Sequence, residues 1–154
     1  MKEGKGMEKA NVIKKAVFGI IGVVGSVIAN ALGGWDMFLQ VLIGCMAVDF
    51  VSGLIVAGVF KKSNKTETGA LASNASWRGL AKKGMTLLII YVATLVDKAA
   101  GTNIIRNAVI IGYIANEALS ILENAGLMGL WVPQILKDAI DVLRKKSEGG
   151  SNGN

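Results

Sequence analysis

Long apolar segments alternate with short polar connections along the chain. The segments 16 to 35 and 37 to 60 contain a single charged residue, Asp49, and each reaches the roughly 20 apolar residues that a helix needs to cross a bilayer. The segment 82 to 100 is long enough only if the charges at its ends lie at the membrane surface, and 104 to 124 carries several polar residues. The pattern predicts an all-α integral membrane helical bundle of three to four transmembrane helices.

The two ends of the chain and one internal connection are polar. Residues 1 to 15 form a basic tail, and residues 61 to 83 form a long connection rich in Lys, Ser, Asn and Thr. From 133 to 146, apolar and charged positions follow a helical rhythm that is typical of an amphipathic helix at the membrane interface. The Gly, Ser and Asn residues of 147 to 154 predict a disordered tail. The membrane domain is therefore expected to span residues 16 to 146.

The net charge of +6 comes mainly from the tails and the long connection. Because short loops rich in Lys and Arg stay on the cytoplasmic side, this distribution predicts a multi-pass membrane protein with its N-terminus and residues 61 to 83 inside the cell. The basic side chains expected at the membrane surface are Lys61, Lys62, Lys65, Arg78, Lys82 and Lys83. Only Trp77 accompanies them, whereas nucleic-acid binding needs aromatic or base-reading side chains among the basic ones. No nucleic acid is expected as a partner.

The first apolar segment carries small residues at steps of three and four positions. They share one helical face and favour close packing, because small side chains let two helix backbones approach each other in a membrane. These residues are Gly19, Gly22, Ser26, Ala29 and Gly33, and Gly53 is a comparable position in the second segment. A cleaved signal peptide is a competing interpretation, because a basic region, an apolar run and the small-residue triplet Ala29-Asn30-Ala31 follow in the order of such peptides.

Polar residues inside the apolar segments are the main functional signal. Asp49 lies near the middle of the second segment, and several polar residues of 104 to 124 fall within about 40° of a common line on a helix. An ionised carboxylate in the membrane centre costs at least about 2.5 to 3.5 kcal/mol, so these groups should face protein or water. The candidates, which either line a pore or pair helices, are Asp49, Ser52, Asp97, Arg106, Tyr113, Asn116, Glu117, Ser120, Glu123 and Asn124.

The amino-acid composition excludes several kinds of catalytic and metal-binding site. The chain has no histidine, which excludes a histidine-based catalyst or metal site, and its one cysteine, Cys45, excludes an intramolecular disulfide. No glycine loop is placed to bind phosphate between a strand and a helix, and the carboxylates show no spacing that demands a metal. We therefore expect no enzyme activity, no cofactor and no metal ion.

Several of these residues stand in a pattern that resembles the bacteriophage holin family, which includes the clostridial toxin-secretion holins. The resemblance is carried by the run from Tyr113 to Gly126, by Asp49 with Ser52-Gly53, and by the run from Gly79 to Gly84 ahead of a helix that ends in Asp97. It covers about residues 37 to 143, and the first helix and the glycine-rich tail match less distinctively.

What the resemblance implies is a phage lysis protein that accumulates in the host cytoplasmic membrane and forms homo-oligomers. Such proteins open nonselective holes through which an endolysin, or in some relatives a toxin, leaves the cell, and they have no cofactor and no active site. The partnership with the endolysin or toxin is functional and implies no direct contact. The matching polar residues of the family fall on Asp49, Asp97, Asn116, Glu117, Ser120, Glu123 and Asn124.

Two other functions remain open on the residues alone. In a small proton- or cation-coupled transporter, Asp49 or Glu117 would bind and release a proton at the middle of the membrane. A non-conducting membrane assembly subunit would use the same polar residues only to pair helices. Release of large solutes separates a holin from both.

Overall fold

A computed structural model describes the backbone of residues 2 to 149 and the side chains of residue 8 and residues 11 to 146. Its regular elements over these residues are helices. The chain divides into two compact units, of which the first ends at Trp35 and the second begins at Asp36.

The first unit is dominated by one long helix, α1 (Lys2–Ala31). The region 2 to 15 was expected to be a polar tail but is helical, because it contains no proline and has five Lys and two Glu, which favour helix. The part Asn11–Ala31 is long and apolar enough to cross a membrane. The helix ends before Gly33 and Gly34, which have φ values of 92° and 110°. Gly33 was expected on the packing face of the helix, and it lies instead in the turn that ends it.

The second unit begins with α2 (Met37–Ile55), which continues as a π-helical segment (Val56–Phe60). Asp36 caps the start of α2, since its side chain accepts a hydrogen bond from the Leu39 amide at 2.9 Å. The π-helical segment ends at Lys61, which has a left-handed φ of 51°. Together the two helical pieces cover residues 37 to 60.

The connection after α2 is a folded loop of residues 61 to 72, which we call the basic loop. The Ser63 amide donates to the Gly69 carbonyl at 2.9 Å, and the Gly69 amide donates to the Thr66 carbonyl at 3.2 Å. Gly69 has a φ of 69°, and a Cβ atom at this position would lie 2.3 Å from the Lys61 carbonyl oxygen. The loop geometry therefore requires a glycine at residue 69.

The third helix, α3 (Ser73–Ala100), begins nine residues earlier than the expected start at 82. The Ser76 hydroxyl donates to the Ala72 carbonyl at 3.3 Å in its first turn, and no proline interrupts the helix. Its end is fixed by Gly101, which adopts the left-handed conformation common after helices. As a result, Lys83 lies ten residues inside a helix and not at its start.

A three-residue turn leads to α4 (Ile104–Leu127), and Pro133 precedes the last helix, α5 (Gln134–Gly149). α5 packs against α4 and buries Ile140, which is 4% exposed. Residues 147 to 149, expected in a disordered tail, continue α5, and the rest of the expected tail lies outside the described residues.

Helices α2, α3 and α4 pack together, with α4 in contact with both of the others. Their most buried side chains are apolar: Leu39, Leu42, Val56, Ile90 and Ile110. Large apolar side chains also cover the outside of the second unit, as Val48, Val51, Leu88 and Val92 show. Among the described residues, four helices are long and apolar enough to cross a membrane, namely α1 over Asn11–Ala31, α2 with its π-helical segment, α3 and α4. The fold is a helical membrane bundle.

Candidate functional site

Three charged side chains meet inside the second unit. The Lys83 ammonium on α3 lies 2.9 Å from Asp49 Oδ2 on α2, and it also binds Glu117 Oε2 on α4. The three side chains are 13%, 10% and 9% exposed in the order Lys83, Asp49 and Glu117. We call these residues the central triad, and they link all three packed helices.

The central triad lies near the middle height of the bundle. Asp49 is 12 residues from the start of α2, and Glu117 is 13 residues from the start of α4. At a rise of 1.5 Å per residue, both lie about 18 to 20 Å from the end of the bundle that holds the short turn between α3 and α4. Lys83 lies about 26 Å from that end and reaches the carboxylates with its long side chain.

The triad combines two carboxylates with one ammonium group, so full ionisation leaves one negative charge in excess. A charge without a partner in a low-dielectric interior costs several kcal/mol, whereas hydrogen bonds and water lower that cost. The second acid at this depth therefore favours water or further hydrogen-bond donors beside it. No group of three or more His, Cys, Asp or Glu side chains in the described part of the chain is arranged to hold a metal ion.

Amide and hydroxyl groups extend the triad toward the end of the bundle that carries the basic loop. Asn124 Nδ2 donates to Ser52 Oγ at 2.9 Å and lies 3.3 Å from Asp49 Oδ1. The Ser120 hydroxyl also lies beside the Asp49 carboxylate. A Cβ atom on Gly53 would lie 3.8 Å from Asn124 Nδ2, so α2 approaches α4 closely here. The hydrogen bonds hold the side chain of Asp49 in place between the two helices.

Asp97 organises the opposite end of the bundle. Its carboxylate accepts hydrogen bonds from the Arg106 amide at 2.7 Å, from the Ile105 amide at 3.2 Å and from the Thr102 hydroxyl. Amide groups in the first turn of a helix have no partner within the helix, and the positive end of the helix dipole attracts a carboxylate. Asp97, which is 2% exposed, thus caps α4 from the last turn of α3.

Arg106 and Asp36 form a second ion pair at the same end. Arg106 Nη1 lies 2.6 Å from Asp36 Oδ2, and Nη2 lies 3.3 Å from Oδ1, so the contact is bidentate. The hydrogen bond from Arg106 lowers the pKa of Asp36, and the Leu39 amide lowers it further. Because Asp36 also caps α2, this pair joins the starts of α2 and α4.

The structure separates the candidate residues of the sequence analysis into three groups. The central group contains Asp49, Ser52, Glu117, Ser120 and Asn124, and the turn end contains Asp97 and Arg106. Tyr113 is partly buried on α4, whereas Asn116 and Glu123 are exposed on another face of that helix. The last two therefore do not join the polar interior of the single subunit.

Sequence reasoning missed the central role of Lys83, which was expected at the membrane surface with Lys82. The physical reason is the direction of its side chain, which reaches into the bundle toward two carboxylates on α2 and α4, and this direction depends on how the three helices pack. Reasoning from the sequence also left Asp36 and Thr102 out of the candidate set. Asp36 gave a detectable signal, since an aspartate directly before an apolar helix is a preferred N-cap.

The fold and the buried charges define a class, a multi-pass helical membrane protein with an ionic interior. The profile of the bacteriophage holin family matches residues 26–145, and the chain belongs to that family. The family points to a membrane protein without enzymatic activity.

Individual relatives span most of the chain. A probable holin of Bacillus phage phi105 is 29% identical over 118 residues, which are 76% of this chain and 82% of the phage protein. An uncharacterised protein of Listeria monocytogenes is 37% identical over 84% of this chain and 87% of its own length. An uncharacterised 14.9 kDa protein of Clostridium perfringens is 33% identical over 88% of this chain and 98% of its own length. No solved structure matches the chain significantly.

Proposed function

We propose that this holin-family protein oligomerises in the cytoplasmic membrane of a bacterium and forms nonselective holes that release an endolysin, or a toxin, and trigger lysis of the host cell. The central triad is the observation that carries this proposal. Three membrane helices enclose two acids and one lysine, and a purely structural bundle of this size has no need of an unbalanced charge. The phage relative that is named a probable holin supports the same function.

In a single subunit, the polar side chains of the central triad satisfy one another and are shielded from lipid. When subunits accumulate, the same groups can exchange their partners for water or for a neighbouring subunit at little cost, because hydrogen bonds to water replace those lost. The apolar outer surface remains in contact with lipid during this change. A hole with such polar walls admits solutes without selecting among them, unlike a filter of ordered carbonyl rings.

The distribution of basic residues supports an orientation with the N-terminus in the cytoplasm. The basic loop then faces the cytoplasm with Lys61, Lys62 and Lys65, and Lys14 and Lys15 lie on the same side before the apolar part of α1. Lys83 adds less to the positive charge on the cytoplasmic surface than its position in the sequence suggests, because it is paired inside the bundle. The turns at 32 to 36 and 101 to 103 then face outward.

The proposal is tested by expressing the chain in a bacterium with and without a cytoplasmic endolysin. We expect the membrane potential, followed with a voltage-sensitive dye, to collapse after the protein has accumulated in the membrane. Abrupt lysis should follow only in cells that contain the endolysin. Cells that keep their potential and retain the endolysin despite abundant membrane-inserted protein would contradict the proposal.

A second candidate, a proton- or cation-coupled transporter, is favoured by the position of Asp49 and Glu117 on either side of Lys83. Acids paired with a lysine at the middle of a membrane also occur where protons are carried across. Reconstituted vesicles separate the two functions. A transporter moves protons while vesicles retain a trapped dye, whereas the proposed holes release the dye as well.

A further inference from the structure

One face of α4 carries exposed polar side chains for which the described residues show no hydrogen bond or ion pair. Asn116 and Glu123 are both exposed, and they lie seven residues apart, which places them within about 20° of each other on the helix. The buried side of the same helix carries Ile110, Glu117 and Asn124. We call the exposed face with Asn116 and Glu123 the α4 outer face. An amide in the middle of a membrane helix favours a hydrogen-bonding partner over lipid.

Lys82 is an exposed cation of α3 that matches Glu123 in charge and depth. The ion pairs of the described residues involve Lys83 and Arg106 as cations but neither Lys82 nor Glu123. Glu123 lies 19 residues after the start of α4, and Lys82 lies 18 residues before the end of α3. The end of α3 and the start of α4 meet at the short turn between these helices. Glu123 and Lys82 therefore lie at nearly equal depths, about 28 and 27 Å from that turn.

Equal depth matters because copies of one membrane protein share a single orientation in the bilayer. Two α4 outer faces in direct contact would bring Glu123 against Glu123, and like charges at close range repel. Contact with α3 of the neighbouring copy brings Glu123 to Lys82 instead. As a partner for the α4 outer face, charge complementarity therefore favours α3 of a second copy over α4 of a second copy.

We propose that the α4 outer face binds α3 of a second copy of this chain, with Glu123 of one subunit paired to Lys82 of the next. This inference rests on the proposed function, because it names the surface through which the subunits associate. The contact is heterologous, since each subunit offers a different surface on each side. Such contacts propagate and close into rings of variable size, or extend without closing. Asn116 lies in the same contact and is removed from lipid by it.

Crosslinking in membranes tests the contact directly. In a Cys45→Ser background, copies with Glu123→Cys are expressed together with copies carrying Lys82→Cys, and isolated membranes are treated with a short thiol crosslinker. We expect crosslinked dimers at a yield at least several-fold above that of the control pair Glu123→Cys with Leu88→Cys. Leu88 is an exposed residue of α3 that lies nearer the middle of the membrane. Equal yields for the two pairs would overturn the proposal.

Charge reversal provides a second test that does not depend on crosslinker geometry. Glu123→Lys and Lys82→Glu should each lower the oligomer fraction several-fold in membranes, and the double variant should restore it. Failure of the double variant to restore association would overturn the pairing. Rescue of Glu123→Lys by Lys14→Glu instead would assign the α4 outer face to the first helix and would also overturn it.

Permeability measured on the same strains keeps this proposal distinct from the proposed function. Specific crosslinking between positions 82 and 123 without any loss of membrane potential supports the contact and contradicts hole formation. Loss of potential without that crosslink supports hole formation and contradicts the contact.

Discussion

At the scale of single residues, the Lys83 ammonium is shared by two carboxylates that come from different helices. Its removal leaves both acids buried without a counterion, and breaking a buried ion pair in this way costs about 3 to 5 kcal/mol. Replacing all members of such a cluster by neutral groups of similar size is far less costly, because no charge is left without a partner. Removal of Lys83 alone should therefore destabilise the protein strongly, whereas neutral replacement of all three residues should destabilise it little.

We expect Lys83→Met to reduce the stability of the detergent-solubilised protein by about 3 to 5 kcal/mol. Adding Asp49→Asn and Glu117→Gln to this variant should restore most of the loss. Thermal unfolding followed by circular dichroism measures both effects. Lys98→Met is the matched control, since Lys98 is an exposed residue of the same helix and should change the midpoint little. A destabilised triple variant would show that the contribution of Lys83 is not electrostatic.

The ion pair of Asp36 with Arg106 predicts that the stability of the folded protein depends on pH. The pKa of Asp36 is lowered in the folded protein, chiefly by the hydrogen bond from Arg106. A lowered pKa contributes stability that is present above the ordinary value of about 4 and is lost as the pH falls through the folded value. The side chain is 41% exposed, so solvent screens the pair and keeps this contribution small.

We therefore expect the difference in melting temperature between the wild type and Asp36→Asn to be largest above about pH 4 and to shrink as the pH falls below it. Asparagine is also a good N-cap, so this substitution removes the charge and leaves the cap of α2 in place. Thermal melts of both proteins between pH 6 and pH 3 give the difference directly. A difference that does not change with pH would contradict the assigned pKa shift.

At the scale of the elements, apolar length alone was sufficient to predict membrane helices but not where α3 begins. Residues 73 to 81 are mostly polar or small, which is typical of a loop, and only the continuous helical hydrogen bonding of the structure reveals the additional turns. The sequence also predicted Asp49, Glu117 and Asn124 as intramembrane polar sites, and the structure brings these three residues together. It did not identify their partner Lys83, because that pairing depends on the arrangement of three helices.

Gly69 in the basic loop and Gly79 near the start of α3 allow a matched test of the loop structure. Gly69→Ala introduces a Cβ atom that meets the Lys61 carbonyl oxygen, and it also strains a backbone φ of 69°. We expect this variant to open the loop and to raise the rate of trypsin cleavage after Lys61, Lys62 and Lys65. Gly79→Ala lies inside α3 with open space around it and should leave the cleavage rate unchanged. Equal rates for wild type and Gly69→Ala would contradict the folded loop.

At the scale of the whole molecule, the excess negative charge of the central triad is expected to set how readily the bundle opens. Glu117→Gln leaves Lys83 paired with Asp49 alone, so the interior becomes neutral and needs less water. We expect this variant to delay the collapse of the membrane potential in expressing cells at equal amounts of membrane protein. Asp49→Asn leaves the same net charge and should give a delay of the same sign. Collapse at the wild-type time in both variants would show that the triad does not control opening.

The short turn between α3 and α4 has a consequence for how the protein enters the membrane during synthesis. α4 is the least apolar of the four membrane helices, and it carries Arg106, Glu117 and Asn124 on one side. On α3, Lys83 pairs with Glu117 and Asp97 accepts hydrogen bonds from the amides of Ile105 and Arg106 at the start of α4. We infer that the translocon releases α3 and α4 into lipid as one preassembled hairpin, because α4 alone would have to expose the charge of Glu117 to hydrocarbon.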